Sequence, residues 1–195
     1  TARFRYTMRH IFREILGVDI GFTTKVEDFI KHKGPKITYT KKPLQNEFFV
    51  RSNDLLFEQG INDFDIRMGD WDGLPCFFEA GDMSAIPFDI FSASFFLLSR
   101  YEEYLPHVKD DLGRFPAKES LAYKNGFLEL PVVNLWANKL FGVLQQRFPD
   151  IKRKTRAYRY TSIINVTTSH SFALRGLARS LGGLLFDLGK FRLRR

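Results

Sequence analysis

Hydrophobic residues at Phe4, Met8, Ile11, Phe12, Ile15 and Leu16 fall three and four apart, the spacing of one buried helix face, and stop at Gly17, a residue suited to a left-handed helix terminus. Thr24 and Glu27 form a capping-box pattern, so "KVEDFIKH" predicts a short second helix ended by Gly34. "KITYT" alternates as a strand. "EFFVRSNDLLFEQGI" reads as strand or helix at its start, with Ser52 or Asn53 able to cap a turn that Gly60 ends. "FDIRMGDW" and "LPCFFEA" are two β-prone runs joined at Asp72-Gly73, a pair suited to a tight hairpin. From Asp89 or Ser92 the pattern predicts the most apolar helix of the chain, from Ile90 through Phe91, Phe95, Phe96, Leu97, Leu98, Tyr101 and Tyr104 to Leu105, before Pro106. Residues covering most of a helix circumference mark it as central.

A long polar connection, "HVKDDLGRFPAKESLAYKNGF", follows, with a turn expected at Asn125-Gly126. Pro131 suits the first turn of another helix, in which Val132, Leu135, Trp136, Leu140, Phe141, Val143 and Leu144 repeat at helical spacing up to Pro149. "DIKRKTR" links this unit to "RAYRYTSIINVTTSH", which starts as an alternating strand and breaks into small polar residues and His170. Tyr158 and Tyr160 are assigned to a core rather than to stacking on a ligand. "LRGLARSLGGLLFDLGKF" is helical in pattern despite Gly176, Gly182 and Gly183. No internal repeat and no low-complexity segment interrupts the order, so the fold class read from pattern is mixed α/β.

Composition adds limits. The 195 residues are 44% hydrophobic with 21 Phe, enough for a real core. Cys76, the single cysteine, lies in an apolar run where a buried, inert thiol is expected and no disulfide within the chain is possible. No segment reaches the roughly 18 to 20 apolar residues of a membrane span, and the N-terminus lacks a signal-peptide core, so a soluble, cytoplasmic protein is expected. The chain opens on Thr1 and stops in "KFRLRR" without a cap, and it is expected to be a piece of something longer. The net charge of +8 is uneven: from Lys152 onward eleven bases face Asp187 alone, a balance of +10 that leaves −2 for the first 151 residues. A polyanion site ranks last among the readings of that segment and nucleic acid is not taken as a partner, because the bases need not converge on one face.

Chemical candidates are few. The four histidines, His10, His32, His107 and His170, never stand at metal-ligand spacing on one helix face. His107 with Glu102, Glu103, Asp110 and Asp111 has the composition of a hard-cation site, but a solvated helix end is the preferred reading. "LGG" at Leu181 to Gly183 lacks a phosphate loop's spacing. Ser169, His170 and Ser171 are adjacent, and neighbours in a turn seldom face one another, so capping is preferred over a nucleophile and base.

"GPKITY", "IPFDIFSASFFLLSRYEEYLPH", "DDLGRFPAKESLAYKNGFLELPVVNLWANKL" and "RSLGGLLFDLGKF" together resemble the N-terminal region of bacterial polysaccharide deacetylase family proteins of the type common among Bacteroidetes. There a domain of unassigned function precedes the deacetylase (β/α) barrel. The resemblance covers almost the whole chain. It implies an accessory α/β domain over 1–151, lacking one initial β-strand, and over 157–195 the first strand and helix of a truncated barrel. In that family the first barrel strand ends in two Asp separated by one residue, then Asn; here Asn165 and Thr167 stand in the Asp positions and Thr168 in place of Asn. One such carboxylate serves as general base on a metal-bound water while another, with two histidines, holds the cation. An amide or hydroxyl does neither well. The resemblance therefore implies a chain with no cofactor of its own and little activity alone. His170 is left as a weak metal candidate, and zinc or a similar divalent cation belongs to the parent enzyme. The implied partner is a polysaccharide or amino-sugar glycan, the implied reaction is hydrolysis of N-acetyl groups, and the alternative is a glycan-binding or scaffold protein without turnover. A truncated barrel would also bare Leu174, Leu177, Leu181, Leu184 and Leu188, which predicts self-association or docking on the first domain.

Overall fold

The structure is a computed structural model that describes residues 1–154, 158, 160–166, 181–183, 185, 186 and 188. Its contacts divide into two units, Thr1–Arg156 and Ala157–Arg195. The first is mixed α/β. Helix α1, Ala2–Arg9, is capped by the Thr1 hydroxyl, which accepts from the Phe4 N–H, and it runs without a break into a π-helical stretch, His10–Ile15. This widened turn keeps Ile11, Phe12 and Leu16 on the buried side, continuing the stripe begun by Met8. Gly17 ends the helix at φ +66°. The Lys154 N–H donates to the Gly17 carbonyl at 3.0 Å, and a Cβ at residue 17 would meet the Lys154 carbonyl oxygen at 3.3 Å, so glycine is required there for conformation and for approach.

Helix α2, Val26–Lys31, is exposed except for half-buried Phe29. The expected capping box does not form: Thr23, not Thr24, receives the Lys25 N–H, and the other end is held by Lys36, whose ammonium donates to the Phe29 and His32 carbonyls. Strands β1, Ile37–Thr40, and β2, Phe48–Arg51, pair in parallel, Ile37 opposite Phe48. Parallel neighbours usually need a crossover of a dozen or more residues, and here 41–47 suffice because both strands are short. The Glu47 carboxylate folds that connection by accepting the Leu44 and Gln45 N–H groups at 2.7 Å each. The ambiguous stretch resolves as strand first, then a 3₁₀ turn, Asp54–Leu56, capped by Asn53.

Strands β3, Met68–Trp71, and β4, Leu74–Phe77, form the antiparallel hairpin expected at Asp72-Gly73, whose φ angles of +49° and +84° match the twist of the strands they join. Beyond β4, Phe78 takes φ +65°. Alternation would place one of Phe77 and Phe78 outside; the left-handed step turns both inward, where they pack on Phe96. Helix α3, Ile90–Leu98, is the centre of the unit, with Ile90, Phe91 and Ala93 fully enclosed. It contacts α1, β4 and α5, Val132–Arg147. Trp136 of α5 donates to the Pro75 carbonyl at 3.0 Å, and Lys139 lies over the Trp71 ring and pairs with Asp72, so the hairpin is fastened to α5 by polar contacts at the rim of an aromatic core.

Further expectations fail. The central helix was predicted to reach Leu105, but it stops at Leu98: Arg100 is left-handed, and the chain resumes as a 3₁₀ turn, Tyr101–Tyr104. The break buries Tyr101 against Phe64 and Phe96, with its hydroxyl bonded to the Asn62 N–H and carbonyl. The strand predicted over 158–166 is also absent, since residue 158 and residues 160–166 have no regular structure. Tyr158 and Tyr160, assigned to a core, are 89% and 78% exposed. A strand is made by its neighbours, and among the described residues none pairs with this one. Leu181, Gly182, Gly183, Leu185, Phe186 and Leu188 are helical and exposed, while Leu174, Leu177 and Leu184 lie outside the described residues.

One carboxylate joins the elements. Asp89, fully buried, caps α3 by accepting the Phe91 and Ser92 N–H groups through one oxygen, and through the other it accepts the Asn53 N–H at 2.6 Å and the Tyr39 hydroxyl at 2.7 Å. Burial pushes its carboxyl above the ordinary value, while the Asn53 and Ser92 N–H groups and the Tyr39 hydroxyl work against that. D89N is expected to cost about 1–3 kcal/mol, because an amide turns a donor toward groups that are donors already, and Y39F about 1 kcal/mol. Urea unfolding of the two variants and their double should give a sum larger than the double variant's loss, since they remove one shared contact.

Candidate functional site

Of the sequence-predicted site residues, Asn165 is exposed and in no regular structure, and Thr167 and His170, with Ser169 and Ser171, lie outside the described residues. A neutral, exposed amide does not fit a divalent cation, and among the described residues no three His, Cys, Asp or Glu side chains stand together as a metal site. No catalytic step is therefore built on a metal here.

The acidic cluster beside His107 is taken apart by its own backbone. Glu102 is half-buried and accepts the Leu121 N–H at 2.8 Å at the start of α4, Leu121–Lys124; burial pushes its carboxyl up. Asp110 accepts the N–H groups of Leu112 and Arg114 and the Arg114 Nε–H at 3.0 Å, and the Arg114 N–H is the main reason its carboxyl sits below the ordinary value. Glu103 pairs with the Arg100 guanidinium. His107 Nδ1 meets the Leu105 carbonyl at 2.8 Å and its ring stands edge-on to Phe115 at 4.8 Å. These carboxylates shape turns.

What they shape is a surface pocket of about 580 Å³ lined by Arg100, Glu103, Asp110, Arg114, Phe115, Pro116 and Ala117. The loop that follows the Tyr101–Tyr104 turn doubles back through the Asp110–Arg114 turn, with Gly113 at φ +75°, and so brings Arg114 to the same opening as Arg100. The two arginine side chains are 72% and 69% exposed and those of their acidic partners only 27% and 29%. The pocket thus sets two exposed arginines beside more recessed carboxylates, with the half-buried Phe115 also in its lining. Among the described residues its lining holds no hydroxyl or thiol, and each of its carboxylates is paired with an arginine. The sequence reading included Glu103 and Asp110 but missed Arg100, Arg114 and Phe115, because it searched for converging carboxylates. The available signal was Arg-x-x-Glu followed by Asp-x-x-x-Arg, two pairs at ion-pairing distance along the chain.

Arg100 itself sits at φ +53°, a conformation that costs an L-residue roughly 1–2 kcal/mol. Strain of this kind persists where the surroundings impose it, and it collects at working sites. A second recess, about 750 Å³, lies along α1 and the π-helical stretch beside the stacked Tyr6 and His10 rings, and its described lining comes from that one helix. Cys76 is enclosed, and burial, then Asp70, pushes its thiol up to about 11. At pH 8 it should resist a disulfide reagent in the folded protein and react at once in guanidinium chloride; fast reaction of the native thiol would contradict the packing. R100G should be more stable than R100A by roughly 1 kcal/mol in urea unfolding, because only glycine releases the strain.

No curated protein matches the chain, and no solved structure matches it. The profile of a family of unknown function, DUF7033, matches residues 1–149, most of the chain and nearly all of the first unit. The chain belongs to that family, DUF7033.

Proposed function

We propose that the first unit is the non-catalytic accessory domain of a polysaccharide deacetylase-like protein and that it holds glycan rather than transforming it. The observation that carries this reading is the Arg100–Arg114 pocket: an aromatic ring and paired charges at one opening, with each carboxylate engaged by an arginine. Sugar rings are recognised by such pairs, planar charged groups for the hydroxyls and a ring for the C–H faces. The motif resemblance supplies the polymer. In the parent enzyme a downstream barrel, loaded with zinc or a similar divalent cation, would hydrolyse N-acetyl groups on an amino-sugar chain. Asn165 in an Asp position favours a second reading, a glycan-binding protein descended from such enzymes, in which no turnover occurs at all.

Two measurements separate these outcomes. Calorimetric titration with oligomers of N-acetylglucosamine should show saturable binding that is lost in an R100A/R114A variant; absence of binding would remove the glycan role. Acetate release from the same oligomers, with and without added zinc, should stay at the level of buffer for this chain and for N165D/T167D. Release by the unaltered chain would overturn the non-catalytic reading.

A further inference from the structure

We infer that helix α2 and the turns beside it form a docking surface for an anionic lipid bilayer, on which the first unit rests without crossing it. Val26 and Ile30 stand one turn apart on the same side of α2 and are 49% and 59% exposed, and Phe22, four residues before Val26, is 39% exposed. No residue of α2 is buried, and half-buried Phe29 takes the inner edge of the same apolar stripe. The aim of that stripe is fixed by Lys36. Its ammonium donates to the Phe29, Ile30 and His32 carbonyls at 3.0, 3.3 and 2.9 Å and lies 5.0 Å from the centre of the Phe29 ring, which ties down the end of the helix and leaves Val26 and Ile30 facing out.

Charge decides what covers this stripe. Lys25 and Lys31 fall about 100° to either side of it, Asp28 falls opposite, and Glu27 stands one turn before Lys31. From Phe29 to Asn46 there are five lysines and no acidic residue, in a region whose first 151 residues carry −2. Lys25, Lys31 and Lys33 are exposed and, among the described residues, in no ion pair. The kind of cation separates a lipid surface from a protein one, since no arginine occurs between Arg13 and Arg51. Protein interfaces favour arginine and aromatic residues and are depleted of lysine. A compact ammonium on a flexible apolar stem suits a headgroup layer, where the stem lies along the hydrocarbon boundary and the charge meets anionic lipid. Exposed apolar side chains between such lysines are the composition of helices that lie in a bilayer surface. Among the described residues no helix is long and apolar enough to cross a membrane, so the contact is superficial. This surface is independent of the glycan reading.

The test is sedimentation of the whole chain with vesicles of phosphatidylcholine alone and of phosphatidylcholine mixed with about one third phosphatidylglycerol, at low and high salt. Binding should require phosphatidylglycerol and weaken with salt. The +10 segment from Lys152 onward would also attract anionic vesicles, so the variants decide. V26S/I30S keeps every charge and should lower the partition coefficient about tenfold. K25Q/K31Q/K33Q should lower it at least as far, at roughly fivefold for each lysine. An I30W variant should be quenched by lipids brominated in their acyl chains, whereas the buried Trp71 and Trp136 of the unaltered chain should not be. These substitutions replace exposed side chains, so the urea midpoints should match that of the unaltered chain. Undiminished binding of V26S/I30S would overturn the proposal and assign the attraction to the basic segment. Absence of binding, or equal binding to phosphatidylcholine alone, would overturn it too. A dimer in light scattering that V26S/I30S abolishes, without vesicle binding, would overturn it and assign the face to a second copy of the chain.

Discussion

The first unit depends on how one buried carboxyl group is satisfied inside it. Among the described residues Asp89 has no basic partner; its two oxygens accept from three backbone N–H groups and one phenol. Those four donors belong to three different problems of assembly. The N–H groups of Phe91 and Ser92 are the orphan donors at the start of α3, that of Asn53 begins the turn after β2, and Tyr39 comes from β1. A helix with apolar residues on nearly every side has no preferred face to guide it into place. The carboxylate supplies that guidance, since all four donors reach it only when α3 begins beside the parallel pair.

From there the arrangement passes along α3 to its far end. Ser99 closes the helix by donating its hydroxyl to the Phe95 carbonyl, and Arg100 reverses the backbone so that Tyr101 drops into the core. A left-handed arginine is expensive in isolation and is tolerated here because Tyr101, held by Asn62 on one side and aromatic rings on the other, cannot be buried otherwise. The surface pocket is therefore anchored to the centre of the unit through a short covalent path. Its other half, the Asp110–Arg114 turn, is held by local hydrogen bonds and the Arg114–Asp110 ion pair.

Much of the fold was legible where the signal was local. The Asp72-Gly73 hairpin, the helix entered at Pro131 and the stop at Gly17 each follow from the conformational preferences of one or two residues. What was not legible depended on distant partners. Nothing in "KITYT" or "EFFV" states that the two pair in parallel across so short a connection, and the hydrophobic pattern after Leu98 continued past a break that only the burial of Tyr101 explains. The same cause accounts for Tyr158 to Val166: alternation records a capacity to form a strand, and a partner has to realise it. For the pocket, residue types were visible and direction was not. Glu103 and Asp110 looked like ligands because carboxylates were counted, but each is turned inward onto an arginine or onto backbone, which leaves the arginines outside.

The contact between Gly17 and Lys154 has a mechanical meaning. Residues separated by nearly the whole unit meet there, with a backbone hydrogen bond, the Lys154–Asp19 ion pair at 2.7 Å and, one residue earlier, Arg153 against the Phe141 ring and the Asn138 amide. Tension applied to the chain beyond 154 would be met by these contacts, one after another, like a seam opened stitch by stitch, before it reached the aromatic core. Load is thereby divided between the stop of the first helix and the outer face of α5. A side chain larger than hydrogen at position 17 would loosen that seam and move the point at which the unit releases its chain.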